Sequence, residues 1–400
     1  MNLLSVTLTA AALPVLAASL YLLLLTLLWR RPPVQPQTHH LPRFIVLVPA
    51  HNEAQGIATT VQSLLAMDYP ASRRQVVVVA DNCTDRTADV AAAHGAQVLV
   101  RTAPDRRGKG CALQFGIEWL LAQAGDAPWD ALVVVDADTD APPDLLRALA
   151  ARLNEGEQAV QAAYLPRRGG DTGVGIVTEV ALTAFHLVRS SARERLGLSC
   201  GLRGNGMAFS RSLLVRVPHT SFSRTEDLEF GVQLGLHGVR VAYAGEAVVR
   251  GDMPDREAVV TQQRERWIGG RVAMARRFVP VLLREAVRRP SLMLADLAMD
   301  LLVPPLSVLT LLATAGVGIS AGAGLVSAGL TTPLAAWGLS FAALVVHVAH
   351  AARVARRGRA LLRVAWSLPG YALGKALITF RSLRRSDERW VRTPRQGELS

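Results

Sequence analysis

Cysteine is scarce: Cys83, Cys111 and Cys200 are the three in 400 residues. They are too few and too scattered for a disulfide framework or a zinc site, which points to reduced thiols in a cytosolic domain. Histidine offers no ligand spacing either, so His186, His219 and His237 read as structural. Charge is also thin, at 19% of residues against 50% apolar, a balance that is high for a soluble enzyme. No G-x-G-x-x-G follows the first apolar strand, which argues against a dinucleotide-binding oxidoreductase. No internal repeat or low-complexity segment is evident. A cleaved signal peptide would need a basic start and a shorter apolar core than this chain has.

What stands at the start instead is Leu3 to Trp29, a run without charge that is long enough for the hydrocarbon core of a bilayer and ends on Arg30 and Arg31. It reads as a retained transmembrane helix over 1–30, with the segment after it cytosolic by the positive-inside rule. A second charge-free stretch between Asp300 and Arg353 is roughly twice the length of one span and carries a hairpin-like GAGLVSAGLTTP in its middle. Two spans over 301–352 would return the chain to the side marked by Arg353, Arg356, Arg357 and Arg359. The segment Leu361 to Phe380 contains Arg363 and Lys375 and has arginines on both flanks, which fits an interfacial or re-entrant helix within a basic region 353–400 ending in a cytosolic tail.

A net charge of +12 and a pI near 10.7 raise the question of nucleic acid. The basic residues cluster beside the apolar segments, however, as with Arg276, Arg277, Arg284, Arg288 and Arg289. Anionic lipid headgroups explain that placement, and no nucleic-acid partner is expected. The stretch 271–300 therefore reads as an interfacial amphipathic segment.

Between a linker at 31–43 and that segment, residues 44–270 alternate strand-like and helix-like patterns. FIVLVP, QVVVVAD, AQVLVR and ALVVVDAD are apolar strands, separated by helical spacings such as AQGIATTVQSLLAMD and GKGCALQFGIEWLLAQAG. This order predicts an α/β domain with a mostly parallel sheet covered on both faces. In such sheets ligands bind outside the carboxyl ends of the strands. Three strands end in acids there: Glu53 in PAHNE, Asp81 in ADNCTD, and Asp136 with Asp138 in DAD.

Alternate residues leaving a strand point the same way, so Asp136 and Asp138 can face one ligand. Hard cations such as magnesium or manganese use one or two carboxylates and leave the other positions to water and substrate phosphates. A solvated turn is the plainer explanation for a lone D-x-D; the strand-end setting and the motifs downstream favour a cation.

PAHNE, ADNCTD, RRGKGCAL, VVVDAD, GLRGNGMAFS, TEDLE and QRERW occur in the order seen in membrane-associated family 2 glycosyltransferases, a group that includes cellulose, chitin and hyaluronan synthases and ceramide glucosyltransferases. The resemblance covers roughly residues 44–270. It implies a GT-A type, Rossmann-like fold flanked by transmembrane helices, and an inverting transfer from a nucleotide sugar that yields a β-linkage. Carried over by motif, Glu53 and Asp81 would contact uridine, and Asp136 the ribose or sugar of the donor. Asp138 would ligate a divalent metal (Mn or Mg) on the diphosphate, and Lys109 would sit near the donor phosphates.

The aspartate of TED, here Asp227, would be the catalytic base, with Glu226 on the acceptor side. A sugar hydroxyl is a poor nucleophile, and a carboxylate within hydrogen-bond reach can take its proton during attack. Thr, Glu and Asp also suit a helix start, so TED alone would equally serve as a cap. In QRERW, Gln263, Arg266 and Trp267 share one helical face. They would offer an amide and a guanidinium to the donor diphosphate, and an indole to an acceptor sugar ring. A tryptophan anchored at a membrane interface is the alternative for Trp267. The loop of Gly204, Asn205 and Gly206 would line the acceptor pocket, although a plain glycine turn has the same composition.

Two functions follow for one site: transfer to a membrane lipid or lipid-linked acceptor, or processive synthesis of a polysaccharide. A non-catalytic membrane scaffold is the reading from another class, and it would not require Asp138 and Asp227 together. Extruding a polar polymer needs a protein-lined path. Apolar spans nearly free of charged or amide side chains offer little lining, which favours a lipid or glycan acceptor at the cytosolic face of the inner cell membrane.

Overall fold

The computed structural model describes residues 3–32, 40–123, 129–167, 172–251, 257–325, 329–365 and 368–384. The linker at 33–39 and the expected cytosolic tail beyond residue 384 lie outside the described residues. Elements are numbered along the chain. Two compact units emerge, one formed by described residues within 1–30, 169–195 and 300–386, the other by those within 31–168 and 196–299.

The first unit is apolar and helical. It holds α1 (Leu3–Leu28), α6 (Gly173–Leu182), a π-helical turn (Thr183–Val188), α7 (Arg189–Arg195), α12 (Leu306–Gly324), α13 (Thr331–Val354), α14 (Gly358–Arg363) and α15 (Leu368–Arg384). Three of these, α1, α12 and α13, are long and apolar enough to cross a membrane. On α1 the buried Ser5, Ala12, Ser19 and Thr26 recur at seven-residue steps, which gives the helix one small-residue face for close packing against α13. Thr26 Oγ1 meets His347 Nδ1 of α13 at 2.7 Å. Gly316 of α12 likewise makes room for the Trp337 ring of α13, since a Cβ there would lie 2.1 Å from it. The segment α15 packs along α12, and Pro369 and Gly370 fall in its first turn, where proline is tolerated.

One grouping differs from the sequence expectation. Residues 172–195 were expected inside a contiguous catalytic span, but they join the apolar helices. They bring charge with them: Arg189 and Arg193 both bond the carboxylate of Asp300, and Arg193 donates to the Tyr21 hydroxyl at 2.5 Å. The apolar unit therefore holds buried charge outside its three long apolar helices. No local pattern reveals this, because the pairing joins residues over a hundred positions apart.

The second unit is an eight-stranded sheet in the order β3-β2-β1-β4-β7-β6-β8-β5. Its strands are β1 (Phe44–Ala50), β2 (Arg74–Asp81), β3 (Gln97–Arg101), β4 (Ala131–Val134), β5 (Thr139–Asp140), β6 (Ala159–Pro166), β7 (Met207–Ser210) and β8 (Val241–Gly251). The pairs β1–β2, β2–β3, β1–β4 and β6–β8 are parallel, while β7 runs antiparallel between β4 and β6, and β5 antiparallel on β8. The helices α2 (Ile57–Leu65), α3 (Thr87–Ala93), α4 (Lys109–Ala122), α5 (Leu145–Asn154), α8 (Arg211–Arg216), α9 (Glu226–Leu236), α10 (Glu257–Arg288) and α11 (Leu292–Leu302) complete it. The apolar runs of β1, β2 and β4 are buried almost throughout, as strands covered on both faces must be.

The strand order reverses at β1, with β2 and β3 to one side and β4 to the other. A crevice opens at such a switch point. Pro49 shows where it starts: Leu47 O accepts from Val135 N at 3.1 Å, and Pro49, two residues on, points the same way. Its missing N–H faces the place where β4 has already left the ladder, so no sheet bond is lost.

The helix α4 is set against the sheet by Gly116, whose added Cβ would lie 2.9 Å from Leu47 Cδ1 and 3.0 Å from Val79 Cγ2. Gly116→Ala gains about 1 kcal/mol of helix propensity but overpacks a tight core at about 1–3 kcal/mol, so we expect a net loss near 1 kcal/mol. Gly110→Ala is expected to lose about 3 kcal/mol, the upper end of that overpacking range, because its Cβ would lie 2.1 Å from the Ser221 carbonyl oxygen, a backbone atom that cannot rotate away. Thermal unfolding of the detergent-purified protein, followed by intrinsic fluorescence, checks both the order and the sizes.

Candidate active site

The carboxyl end of β4 gathers the site. Along ALVVVDADTD, β4 ends at Val134, and in the turn that follows Ala137 is buried while Asp136 and Asp138 are half-buried. Thr60 Oγ1 donates to Ala137 O at 2.8 Å and fixes the buried face.

The antiparallel strand β7 carries the RGNG loop to the same place, since Met207 pairs with Val134. Gly201, Gly204 and Gly206 all have φ near +70° to +85°, the left-handed region that favours glycine, and this lets the loop turn tightly. Asn205 is fully buried within it. Its Oδ1 accepts from Asp136 N at 3.2 Å, its Nδ2 donates to Thr139 Oγ1 at 2.8 Å, and its carbonyl accepts from Gln161 Nε2 at 2.7 Å. Asn205, expected on the acceptor side, is thus seen here in internal bonds. Both ends of its side chain are used internally, and what it does is hold Asp136 and Thr139 in place.

From α4, Lys109 reaches into this cluster. Its Nζ donates to Asp136 Oδ1 at 2.5 Å and to Gly204 O, and lies 3.7 Å from Glu226 Oε1. Gly108 at φ 120° starts the helix, and Gly110 lets its first turn pass against the Ser221 backbone. Burial works against the ammonium, yet Asp136, Glu226 and Asp227 outweigh it and raise the Lys109 pKa above the usual lysine value. Glu226 is pushed up to about 7, chiefly by burial and further by Asp227, against the opposing pull of Lys109 and Arg266. Asp227 sits beside the same loop, with Oδ2 3.2 Å from the position a Cβ on Gly204 would take.

The helix α10 completes this side. Its Gly270 lies against Thr225, where a Cβ would come 2.5 Å from Thr225 Cγ2, so the helix bearing QRERW passes directly over the TED turn. Gln263, Arg266 and Trp267 are half-buried on it, and Arg266 Nε is buried without a hydrogen-bond partner. The helix runs unbroken to Arg288, so the boundary expected at residue 270 falls inside it.

Glu53 and Asp81 stand at the ends of β1 and β2, on the other side of the switch point. Asn52 and Asn82 follow those strands with φ 55° and 51° and tie neighbouring loops together: Thr84 N, after β2, donates to Asn52 Oδ1 at 2.7 Å, and Ala103 N, after β3, to Asn82 Oδ1 at 2.8 Å. Glu53 N is held by Thr87 Oγ1 at 2.7 Å. Asp81 is buried and accepts from Arg101 at 2.5 Å and from Asn82 Nδ2 at 2.9 Å. Sequence reasoning missed Arg101, Thr139, Gln161 and Gly270, none of which stands in a motif; proximity in space is their only signal.

Among the described residues no three His, Cys, Asp or Glu side chains form a metal cluster. The pair Asp136 and Asp138 nevertheless suits a hard divalent cation, which needs one or two carboxylates when substrate phosphates supply the rest. Of this pair, Asp136 Oδ1 is engaged by Lys109.

Residues 42–270 match the family described as Glycosyltransferase like family 2. The chain is 31% identical over 238 residues to the beta-monoglucosyldiacylglycerol synthase of Synechocystis, covering 57% of this chain and 48% of that protein. It is 23% identical over 237 residues to the poly-beta-1,6-N-acetyl-D-glucosamine synthase of Staphylococcus aureus, covering 58% and 55%. The chain thus spans about half the length of the curated relatives it matches. Among solved structures it resembles the mannosyltransferase PcManGT from Pyrobaculum calidifontis, in complex with GDP-Man and Mn2+, with TM-score 0.52, 21% identity, and 84% of this chain and 98% of that one covered. That likeness concerns the fold, which is GT-A.

His219 packs behind Glu226 and Asp227 with its ring 4.7 Å from that of Phe230. Burial, aided by Lys109, lowers its pKa to about 4. An unfolded histidine takes up its proton near pH 6.5 while the folded one resists until about pH 4. The stability this gives is therefore complete above pH 6.5 and lost as pH falls to 4. The loss is on the order of 3 kcal/mol. Stability curves of wild type and His219→Phe should diverge across that window and run parallel above it.

Proposed function

Because the chain belongs to Glycosyltransferase like family 2, we propose that it moves a sugar from a nucleotide-sugar donor, a UDP-sugar by the motif reading, to a hydroxyl of a membrane-lipid or lipid-linked acceptor. The observation that carries this reading is the convergence of Lys109, Asp136, Glu226 and Asp227 at the crevice beside β4, in a chain that also holds three helices able to cross a membrane. A lipid acceptor is supported by the synthase relative whose name is that of a glucosyldiacylglycerol-forming enzyme.

In this reading Glu53 and Asp81 hold the nucleoside and Asp136 the donor's ribose or sugar, with Lys109 anchoring that carboxylate. Asp138 would hold a manganese or magnesium ion, which when bound neutralises charge on the donor diphosphate. Gln263 and Arg266 add an amide and a guanidinium on the α10 side, where the buried Arg266 Nε lacks a protein partner. Asp227 takes the proton of the acceptor hydroxyl as its oxygen bonds the anomeric carbon. The bond from that carbon to phosphate oxygen breaks, and its electron pair leaves with the nucleoside diphosphate. Attack opposite the leaving group inverts the carbon and gives a β-linkage from an α-linked donor. Glu226 and Trp267 flank the acceptor. The site lies on the cytosolic side of the inner membrane by the positive-inside rule applied to Arg30 and Arg31.

Asp138→Asn is expected to abolish metal-dependent binding of UDP, read by calorimetry with manganese. Asp227→Asn should keep that binding and lower transfer about 10²–10⁴-fold, the usual cost of losing a general base. Equal loss of UDP affinity in both variants contradicts the assignment.

A processive polysaccharide synthase is the second reading, favoured by the poly-N-acetylglucosamine synthase relative and by the buried Arg189, Arg193 and Asp300 in the apolar unit. Radiolabelled UDP-sugars offered to the purified chain in lipid should give a small product that partitions with lipid. A high-molecular-weight, lipase-resistant product on gel filtration would select the synthase.

A further inference from the structure

The last acid of TEDLE, Glu229, has no part in the reading above, yet its side chain is only 5% exposed. Its Oε2 accepts from Ser223 N at 3.1 Å, and its Oε1 accepts from Arg277 Nη1 at 2.9 Å. One carboxylate therefore joins the loop before α9, the first turn of α9, and α10. A second contact joins the same two elements, where Gly270 receives Thr225.

The spacing along each helix gives these contacts their meaning. On α10, Gln263, Arg266, Trp267, Gly270 and Arg277 recur at three-, four- and seven-residue steps and so form one stripe. Arg277 lies about 16 Å along the axis from Arg266 at 1.5 Å per residue. Two fixed points on one stripe determine both the distance and the tilt of the helix. On the other partner, Thr225 and Glu229 bracket Asp227 by two residues each, and Glu229 N bonds Thr225 O at 3.0 Å within one turn.

Energetics separates this from a plain structural bond. The Arg277 side chain is 62% exposed, so truncating it removes little packing, while the 5%-exposed Glu229 carboxylate keeps its bond from Ser223 N. Such a pair adds modestly to global stability, but it can select one seating of α10 among several.

We infer that Glu229 and Arg277, with the Gly270 seat on Thr225, form a positioning clamp that holds the Gln263, Arg266 and Trp267 face at a set distance from Asp227. Neither residue touches substrate. The inference rests on the transferase reading, in which Asp227 and the α10 face act on one reaction centre. Displacing one against the other by a fraction of an ångström would slow transfer.

The test is a double-mutant cycle on the full chain in lipid, with Glu229→Gln, Arg277→Gln and both together, plus Arg277→Lys. Arg277→Gln should lower kcat roughly tenfold, within the range that a small misplacement costs, while the unfolding temperature stays near that of wild type. Arg277→Lys, which keeps the cation, should recover most of the rate. The double variant should be no slower than Glu229→Gln alone, because both changes break one link. Wild-type kcat in Arg277→Gln, or losses that multiply in the double variant, overturns the clamp. So does a fall in rate that tracks a fall in unfolding temperature and that lysine does not rescue.

Hydrogen exchange supplies a readout that needs no turnover. Amides of 223–229 should exchange faster in Arg277→Gln than in wild type, and unchanged exchange there counts against the clamp whatever the activity. Absence of transfer by the wild type from any nucleotide sugar, with exchange still faster in the variant, would sink the transferase reading and leave the clamp standing.

Discussion

One ammonium group holds the site together. Asp136, Glu226 and Asp227 come from two separate elements, and three carboxylates in a half-buried crevice repel one another with little water to screen them. Lys109 supplies the opposing charge, and it also ties that charge to the backbone through Gly204 O. The attraction is strong enough to overcome the burial of the ammonium itself, which alone would lower its pKa. The glycines around Lys109 follow from this demand. Gly108 adopts a backbone angle that a side chain would oppose, and Gly110 allows the helix start to come close enough for the lysine to reach.

The reversal of strand order at β1 explains why these groups meet at all. Parallel strands on one side deliver Glu53 and Asp81; β4 delivers Asp136 and Asp138; and the antiparallel β7, entering from the opposite direction, delivers the RGNG loop to the end of β4. A parallel strand at that position would have brought its carboxyl end there instead, and the loop preceding it would lie at the far edge of the sheet. The antiparallel insertion is thus what allows the loop before a strand and the loop after a strand to share one site.

The strands and the paired acids were legible because their signals are local. A run such as FIVLVP is apolar at every step, and D-x-D marks where such a run gives way to acids at the end of β4. Motif order named Lys109, Glu226 and Asp227 separately, and their clustering appears only in the structure. What escaped was nonlocal. Asn205 reads as an exposed loop amide between two glycines, yet it is fully buried because β7 carries it beneath Asp136. Arg101 reads as the end of an ordinary strand, but the register of β3 on β2 sets it opposite Asp81. Residues 172–195 read as part of the catalytic span, and only the pairing of Arg189 and Arg193 with Asp300 reveals their company.

The continuity of α10 links two properties that the sequence presents separately. The same helix carries Gln263, Arg266 and Trp267 near its start and, beyond Arg277, exposes Leu283 and Val287 beside Arg284 and Arg288. Exposed apolar side chains flanked by arginines suit the boundary between headgroups and acyl chains, where the one is buried and the other meets phosphate. Under the proposed lipid-acceptor function, seating the far end of the helix in that boundary would keep its other end close to the surface where an acceptor hydroxyl lies, with Pro280 standing between the two ends. The TED turn has to follow α10 for this to work, and the seat of Gly270 on Thr225 provides that coupling.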